Sequence, residues 1–416
     1  MNSANNSNNN EKALEVRTHD IPIADAMTEF MKEGWAPSPL TGVNPHPSIP
    51  FTKIRREKLS KQYPGSRLIF PSGSLKIRSN DSDYPFRAHS AYSWFTGIVA
   101  SDCVPDSLFV MEPNGAGHDA LLFIHPRSPR NNDEFYKNAR HGEFWIGRRM
   151  TLEETETKYA LKVVQIESIE EFLANKKETL IIRSEDKKLD QLVTESEEKE
   201  KEFLNFTSLM RIVKDQYEID EMQKAIDASV RGFADMVRVF PAATSVVRGE
   251  RVIESAFYGR ARLEGNENGY PSIVASGAHA CVLHWIKNDG DVLPGDLILI
   301  DAGVEVESHY TADITRTFPV NGKFTQAQRK IYMIVYKAQQ AGIAAVKPGA
   351  KFKDFHNACM VEIARGAAEL GVLPMTPEES LKPENGLHRR WQFHGSGHHL
   401  GIDVHDCSHA RKEQYA

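Results

Sequence analysis

The sequence lacks any apolar run that approaches the ~20 residues needed to span a membrane as a helix. Its first residues, MNSANNSNNNEK, also lack the apolar core of a signal peptide and read instead as a polar tail. We therefore interpret residues 1–45 as a polar tail and lead-in. Together with the thiol pattern described next, this predicts a soluble, cytoplasmic protein.

Cysteine is scarce, and an excess of positive charge is absent. The four cysteines, at positions 103, 281, 359 and 407, show no CxxC spacing, which indicates reduced thiols rather than a disulfide framework or a zinc ribbon. Lys and Arg number 51 against 57 Asp and Glu, giving a net charge of -6. This balance argues against a protein that binds nucleic acid or a membrane surface.

The length and the pattern of charge predict two domains. A chain of 416 residues is long for one domain and sufficient for two. Strands alternate with helical patterns up to about residue 183, which predicts an N-terminal α/β domain with a mixed sheet over residues 46–183. The composition then becomes strongly charged, and we interpret residues 184–205 as a charged linker or solvated helix. Residues 206–416 form the predicted second domain.

Two carboxylates occupy the stretch from Leu297 to Phe318, whose apolar runs predict a β-hairpin. If Asp301 and Asp313 oppose each other directly, the hairpin is centred on Glu307, in a polar stretch suited to a turn. Directly opposed residues share a face, with Cβ atoms ~5 Å apart. Two buried carboxylates at that distance repel unless a cation joins them. A shared proton or two solvated turn acids are the alternatives, but the nearby histidines favour a two-metal site.

Histidines are concentrated in the last third of the chain, where ten of the 16 lie between His279 and His409. His284 ends a strand-like run over residues 280–285. Three others flank the glycines of the segment FHGSGHHLGIDVHD: His394, His398 and His405. Any one of them alone would be interpreted as a surface or hydrogen-bonded core histidine. Together with the acidic pair they indicate a site of carboxylate and imidazole ligands, which suits Mn²⁺, Co²⁺ or Zn²⁺.

The chain resembles the bacterial Xaa-Pro aminopeptidases (aminopeptidase P), which are pita-bread metallopeptidases of family M24. The resemblance covers nearly everything after about residue 45. It rests on the segments HWIKN (284–288), PGDLILIDAG (294–303), TADITRTFPVNGKFTQAQRKIY (311–332), HGSGHHLGIDVHD (394–406), DSDYPFRAHSAYSWFTG (81–97) and FWIGRR (144–149). It implies an α/β (α+β) fold, in which an N-terminal mixed α/β domain precedes a pita-bread domain.

The resemblance also implies roles for six residues. In the family pattern Asp301 binds one metal ion, Asp313 bridges two, and His398 is the imidazole ligand. The family's active-site histidines, which orient the substrate and stabilise the tetrahedral intermediate, match His284, His394 and His405. The implied cofactor is a pair of divalent ions, Mn²⁺ first and Co²⁺ or Zn²⁺ as alternatives. The implied reaction is hydrolysis of the N-terminal Xaa-Pro bond of a peptide by a hydroxide that bridges the metals, in a homo-oligomer (dimer or tetramer).

The sequence departs from the family pattern in one respect. Two further ligands of the pattern are glutamates that come well after the VHD segment. The sequence given ends at Ala416, and Glu413, the only acid after Asp406, lies in a different context. We therefore expect an incomplete ligand set and a pita-bread domain without its last strands, as in an aminopeptidase P truncated at its C-terminus.

Alternative functions fit these residues less well. A prolidase, which cleaves Xaa-Pro dipeptides, shares the last histidine segment. A non-catalytic protein that uses the pita-bread domain for binding, or an inactive fragment, is favoured by the absent glutamates and disfavoured by the retained aspartates and histidines. A methionine aminopeptidase would lack the large N-terminal domain, and a metal-free creatinase-like hydrolase would lack the aspartate pair.

Overall fold

A computed structural model describes residues 23–183, 185–193 and 197–410. Residues 1–22 of the predicted tail, residues 184 and 194–196 of the predicted linker, and Glu413 lie outside the described residues. The chain divides into two compact units, Met1–Phe203 and Leu204–Ala416. Within the described ranges, no helix is long and apolar enough to cross a bilayer.

The N-terminal unit is built from short helices and a mixed sheet, as the alternation of patterns predicts. Its strands are β1 Arg67–Pro71, β2 Ile77–Ser79, β3 Ser82–Asp83, β4 Leu108–Pro113, β5 His118–Ile124, β6 Lys162–Gln165 and β7 Thr179–Ile181. The helices described up to Leu209 are α1 Asp25–Met31, α2 Ile49–Gln62, α3 Ser90–Thr96, α4 Glu134–Lys137, α5 Glu143–Ile146, α6 Leu152–Tyr159, α7 Ile169–Ala174, α8 Lys187–Leu192 and α9 Glu197–Leu209.

Five of these strands form one sheet in the order β6-β5-β4-β1-β7. The inner pairs β1/β4 and β4/β5 are antiparallel, whereas the outer pairs β1/β7 and β5/β6 are parallel. Side chains from β1, β4, β5 and β7 contribute to one buried apolar cluster, with Ile69, Val110 and Phe123 at its centre. The predicted mixed sheet is therefore confirmed.

A charged group also lies inside this unit. Arg67 is only 1% exposed, and its Nε donates to Glu112 Oε2 at 2.6 Å. Lys177 Nζ lies 2.7 Å from the other oxygen of Glu112. Burial acts to raise the pKa of Glu112, but the hydrogen bonds from Arg67 and Lys177 outweigh it and leave the pKa below its ordinary value.

The C-terminal unit combines long helices with a small antiparallel sheet. Its helices are α10 Gln216–Arg238, α11 Phe240–Ala243, α12 Gly249–Glu264, α13 Gln326–Ala345, α14 Phe352–Glu369 and α15 Pro377–Ser380. Its strands are β8 Glu267–Asn268, β9 Ile273–Ser276, β10 Leu297–Ala302, β11 Val304–Glu305 and β12 Ile314–Pro319. Strand β10 is central in the three-stranded sheet β12-β10-β9, so this sheet holds both sides of the segment that carries Asp301.

Local sequence signals account for much of this unit. A capping box lies at the start of α13, where Thr325 accepts from the N–H of Gln328 and Gln328 accepts from the N–H of Thr325. A turn with proline and glycine at its central positions precedes β10, and in it the Asp296 N–H donates to the Leu293 carbonyl at 3.2 Å. Gly295 has φ +99° there, a conformation that glycine adopts without strain.

Candidate metal centre

Asp301 is fixed by the middle strand of the small sheet. Buried and half-buried residues alternate along β10, and Ile298, Ile300 and Ala302 are buried. Because alternate residues of a strand project to opposite faces, Asp301 projects away from those buried side chains. Its backbone is paired on both sides, with Thr315 of β12 and Ile273 of β9.

Asp313 lies immediately before β12, and it does not oppose Asp301 directly. The pairs across the hairpin are Asp301 with Thr315 and Ala302 with Ile314. Asp313 is therefore a diagonal neighbour of Asp301 on the same face. The prediction that the two aspartates are directly opposed is wrong by two positions, although both carboxylates still project toward the same side of the sheet.

The hairpin loop explains the difference in register. The N–H of Val306 donates to the Tyr310 carbonyl at 3.0 Å, so the hairpin is centred on Ser308 rather than Glu307. His309 closes the three-residue loop with φ +68°, a left-handed conformation common at that position of such loops. The predicted turn region is confirmed, but moving its centre by one residue moves every cross-strand partner by two.

The phenol group of Tyr270 joins the two carboxylates. Its Oη lies 2.5 Å from Asp301 Oδ1 and 3.0 Å from Asp313 Oδ1. Thr315 Oγ1 donates to the second oxygen of Asp301 at 2.5 Å. Since one hydroxyl has a single proton to donate, both phenol contacts are satisfied only when a proton also resides on a carboxyl group. The two acidic groups therefore converge on one oxygen atom.

The two aspartates have opposite shifts of pKa. Burial raises the pKa of Asp301, and the neighbouring negative charge of Asp313 adds to the effect. Burial acts in the same direction on Asp313, but the hydrogen bonds from His398 and Tyr270 outweigh it and leave its pKa lowered. Asp301 is thus the carboxyl group that takes up a proton more readily, while Asp313 carries the negative charge.

His398 contacts Asp313, as expected for a site that combines carboxylate and imidazole groups. Its Nε2 lies 3.0 Å from Asp313 Oδ2, and this hydrogen bond raises the pKa of His398 although burial opposes the shift. Its Nδ1 lies 2.9 Å from the His399 carbonyl oxygen, which fixes the orientation of the ring. The ring of His405 packs edge-on against it, with centroids 4.4 Å apart. Four predicted site residues are therefore brought together: Asp301, Asp313, His398 and His405.

His394 and His284 are not brought to this cluster. His394 is exposed, and its Nδ1 contacts the carbonyl oxygen of the adjacent Gly395 at 2.6 Å. His284 is also exposed. Among the residues that the structure describes, neither histidine makes a hydrogen bond or ring contact with Asp301 or Asp313.

The segment that carries His284 is not a strand, although its apolar residues predict one. Residues 277–281 form a 3₁₀ helix, and no strand follows them up to Trp285. The fully buried carboxylate of Glu250 in α12 accepts from Trp285 Nε1 and from the Gly290 N–H, both at 2.8 Å. His279 Nδ1 contacts the same carboxylate at 2.9 Å, and its ring stacks on Trp285. These contacts hold the segment in a compact loop, so the strand prediction for residues 280–285 is wrong.

Two residues of the site were not predicted. Thr315 would follow from the correct register, because it is the partner of Asp301 across the hairpin. Tyr270 precedes β9 and belongs to no motif singled out in the sequence. Only the tertiary arrangement places its hydroxyl between the two carboxylates.

The chemistry of these donors suits divalent metal ions. Two carboxylates directed at one oxygen atom, with an imidazole on the second oxygen of Asp313, form the mixed oxygen and nitrogen environment favoured by Mn²⁺, Co²⁺ and Zn²⁺. Within the described part of the chain, no three His, Cys, Asp or Glu side chains are already arranged at the spacing of metal ligands. The donor types therefore fit, with Tyr270 as the present partner of both aspartates.

Comparisons with known proteins identify the family of the chain. Residues 220–415 match the model of metallopeptidase family M24, and residues 52–182 match that of the aminopeptidase P N-terminal domain. The chain is 45% identical over 396 residues to Xaa-Pro aminopeptidase 1 of Streptomyces coelicolor, covering 94% of this chain and 79% of that protein. It is 29% identical over 383 residues to the Xaa-Pro aminopeptidase of Escherichia coli, covering 86% of this chain and 80% of that protein.

Solved structures show the same likeness. Zinc-substituted E. coli aminopeptidase P in complex with product superimposes with a TM-score of 0.74 at 26% identity, covering 88% of this chain and 84% of that chain. A putative aminopeptidase P from Bacillus anthracis gives a TM-score of 0.69 at 25% identity, covering 86% and 83%. The predicted fold class, a mixed α/β N-terminal domain followed by a pita-bread domain, is confirmed.

Proposed function

Because this chain belongs to metallopeptidase family M24 and is a metal-dependent aminopeptidase, we propose that it releases the N-terminal residue of peptides in which proline is second. Its domains would follow the predicted boundaries, with the aminopeptidase-P-type domain over residues 46–183 and the pita-bread domain over residues 206–416. Catalysis would take place in the second of these.

One observation carries the proposal: the acidic pair and one imidazole meet at a single point. Tyr270 Oη contacts Asp301 and Asp313 at 2.5 and 3.0 Å, and His398 Nε2 contacts the far oxygen of Asp313 at 3.0 Å. An arrangement made only for stability would not need two half-buried carboxylates side by side, because their mutual repulsion opposes folding.

Asp301, Asp313 and His398 would hold the two divalent ions, for which Mn²⁺ is the proposed identity. Bound ions of this kind supply Lewis-acid stabilisation of negative charge and lower the pKa of water. Without bound ions, His398 keeps Asp313 ionised through the hydrogen bond between Nε2 and Oδ2. The hydroxyl of Thr315 orients Asp301 from the other side.

The remaining histidines are proposed to act on the peptide. A prolyl nitrogen carries no N–H, so it cannot donate a hydrogen bond in the ground state and must gain a proton when it leaves. His405 is exposed and lies against the ring of His398, which suits a group that contacts the substrate and stabilises negative charge there. His284 and His394 are also exposed, and we propose that they orient the substrate.

A prolidase is the second candidate within the same chemistry. It would use the same aspartates and histidines but would accept only dipeptides. Relatives that match most of this chain are Xaa-Pro aminopeptidases by name, which supports the aminopeptidase. A non-catalytic binding protein is the candidate from another class, and the similarity to relatives named as enzymes supports catalysis over that function.

Two further properties belong to the proposal. We propose a cytoplasmic location, supported by four cysteines that are all free. We also propose a homo-oligomer, supported by the family resemblance alone. Sedimentation velocity of the purified chain measures the second property directly.

The test of function compares three peptides at saturating Mn²⁺. We expect a tripeptide Xaa-Pro-Xaa to be hydrolysed at its first bond, and the dipeptide Xaa-Pro and the tripeptide Xaa-Ala-Xaa to react at least tenfold more slowly. Preference for the dipeptide would identify a prolidase instead. A protein that binds Mn²⁺ and all three peptides without turnover would identify a binding protein.

A further inference from the structure

We propose that Asp406 is a positioning residue, clamped by Arg211 and Lys214, that holds the histidine loop against the acidic pair. The histidine loop is defined here as residues 394–406, which carry His398 and His405. The inference rests on the proposed function, because it assigns to these histidines the roles given above.

The clamp is a buried group of opposite charges. The side chain of Asp406 is fully buried, with Lys214 Nζ 2.7 Å from Oδ2 and Arg211 Nη2 3.2 Å from Oδ1. The Arg211 side chain is itself only 8% exposed. A buried carboxylate without either partner would strongly destabilise the fold. A fold that buries Asp406 therefore needs both cations.

The group is balanced in charge. Asp403 Oδ2 lies 3.5 Å from Arg211 Nη2, which gives two carboxylates against two cations. The thiol of Cys407 is close by, but burial raises its pKa to about 12, so it adds no charge. Every ionised member of the group therefore has an oppositely charged neighbour.

The cations are anchored to a rigid element. Lys214 directly precedes Asp215, and Arg211 lies three residues before Lys214. Asp215 caps the 23-residue helix α10 through a capping box with Glu218. Lys214 Nζ also donates to the Arg211 carbonyl at 2.5 Å, which closes the short segment onto itself. The clamp is thus built on the start of a long helix.

On the other side the clamp organises the histidine loop. The Asp406 N–H donates to the His399 carbonyl at 3.0 Å, and the Gly401 carbonyl accepts from the Thr311 N–H at 3.1 Å. A Cβ atom at Gly401 would lie 2.3 Å from Asp406 Oδ2, so only glycine permits this approach of backbone and carboxylate. Thr311 lies two residues before Asp313, and the loop is therefore tied to the segment that carries the acidic pair.

The histidine loop is held by contacts of its side chains and backbone, including those of Ser396 with His356 (2.9 Å between Oγ and Nδ1) and of the His399 ring with Phe352. It contains no helix or strand, and its histidines 398 and 405 are exposed. The contacts of Gly401 and Asp406 join the part of the loop between His398 and His405 to the segment of the acidic pair and to the start of α10, and so help to set the distance from His398 Nε2 to Asp313. Groups that orient metal ligands in this indirect way typically contribute 10- to 100-fold to metal affinity.

The test uses variants of Asp406 and Lys214 in the full chain. Asp406→Asn removes the charge and keeps the shape, and Lys214→Met removes the opposite charge. The double variant removes both, and Lys214→Arg preserves the cation. The matched control is Lys382→Met, since Lys382 forms an exposed ion pair with Glu379 in the same unit. Three quantities are measured: thermal unfolding, binding of Mn²⁺ alone by electron paramagnetic resonance, and amide hydrogen exchange over residues 394–410.

We expect Asp406→Asn and Lys214→Met to weaken Mn²⁺ binding at least tenfold and to speed hydrogen exchange over residues 394–410, whereas the Lys382 and Lys214→Arg variants do neither. The double variant should regain thermal stability, because the remaining group is again balanced in charge, but it should not regain Mn²⁺ affinity. If Asp406→Asn does not fold, Lys214→Met carries the test, since it leaves Arg211 paired with Asp406.

Unchanged exchange and unchanged Mn²⁺ affinity in the single variants would overturn the proposal. So would a double variant that regains both stability and Mn²⁺ affinity, because charge balance alone would then explain the clamp. A wild-type protein that binds no Mn²⁺ would instead refute the proposed metal centre. In that case hydrogen exchange still decides whether Asp406 positions the loop.

Discussion

Replacing Tyr270 with phenylalanine should make the metal-free protein less stable and its binding of Mn²⁺ tighter. The hydroxyl is the shared partner of Asp301 and Asp313, at 2.5 and 3.0 Å. A hydrogen bond to a charged group contributes about 1.5–3 kcal/mol, so we expect a loss of about 2 kcal/mol in the free energy of unfolding without metal. Bound metal ions would replace the hydroxyl as the partner of both carboxylates, so the metal-bound state should lose much less.

Because the metal-free state loses more stability than the metal-bound state, the variant should bind Mn²⁺ more tightly. A loss of about 2 kcal/mol confined to the metal-free state corresponds to roughly 30-fold tighter binding. Urea unfolding with and without Mn²⁺, together with calorimetric titration of Mn²⁺, measures both quantities. Tyr258→Phe is the matched control, because Tyr258 lies in the same unit and is 46% exposed. Weaker Mn²⁺ binding by the Tyr270 variant would refute the view that metal and hydroxyl satisfy the same carboxylates.

Two predictions concern the N-terminal unit. Glu112→Gln leaves Arg67, which is 1% exposed, without its carboxylate partner. Because breaking a buried ion pair is costly, we expect a loss of about 3 kcal/mol in the free energy of unfolding measured with urea. A loss below about 1 kcal/mol would contradict this. Burial lowers the pKa of His141 to about 3, with the neighbouring His125 adding to it. Below the unfolded value of about 6.5 the folded state therefore binds fewer protons, and stability falls as the pH drops toward 3. After a discount for partial exposure, we expect the free energy of unfolding to fall by about 1 kcal/mol between pH 7 and pH 5 in the wild type but not in His141→Gln. Equal losses in both proteins would show that His141 is not responsible.

Local chemistry made parts of the fold predictable from the sequence. The capping box of Thr325 and Gln328 and the turn at Gly295 depend only on residues close in the chain. The hairpin that carries Asp301 and Asp313 follows from two apolar runs and a polar turn. Its register does not, because it depends on the left-handed conformation of His309, which shifts each cross-strand pair by two positions.

Long-range contacts account for what the sequence did not predict. The apolar residues before His284 are typical of a strand, but Trp285 and Gly290 donate hydrogen bonds to the buried carboxylate of Glu250, and these bonds hold the segment in a loop. Tyr270 carries no pattern that marks it as a partner of two carboxylates. Arg211 and Lys214 both contact Asp406 from far away in the sequence. Lys214 is separated from Asp406 by 192 positions, and no periodic pattern can indicate a contact over that distance.

The most direct test of the account measures bound Mn²⁺ and Xaa-Pro-Xaa hydrolysis on the same preparation of the 416-residue chain, for the wild type and for Asp313→Ala. We expect saturable Mn²⁺ binding and turnover in the wild type, with both lost in the variant because Asp313 contacts His398 as well as Tyr270. Turnover that survives in Asp313→Ala, or a wild type that hydrolyses the peptide without binding Mn²⁺, would contradict the assignment of this cluster as the catalytic metal centre.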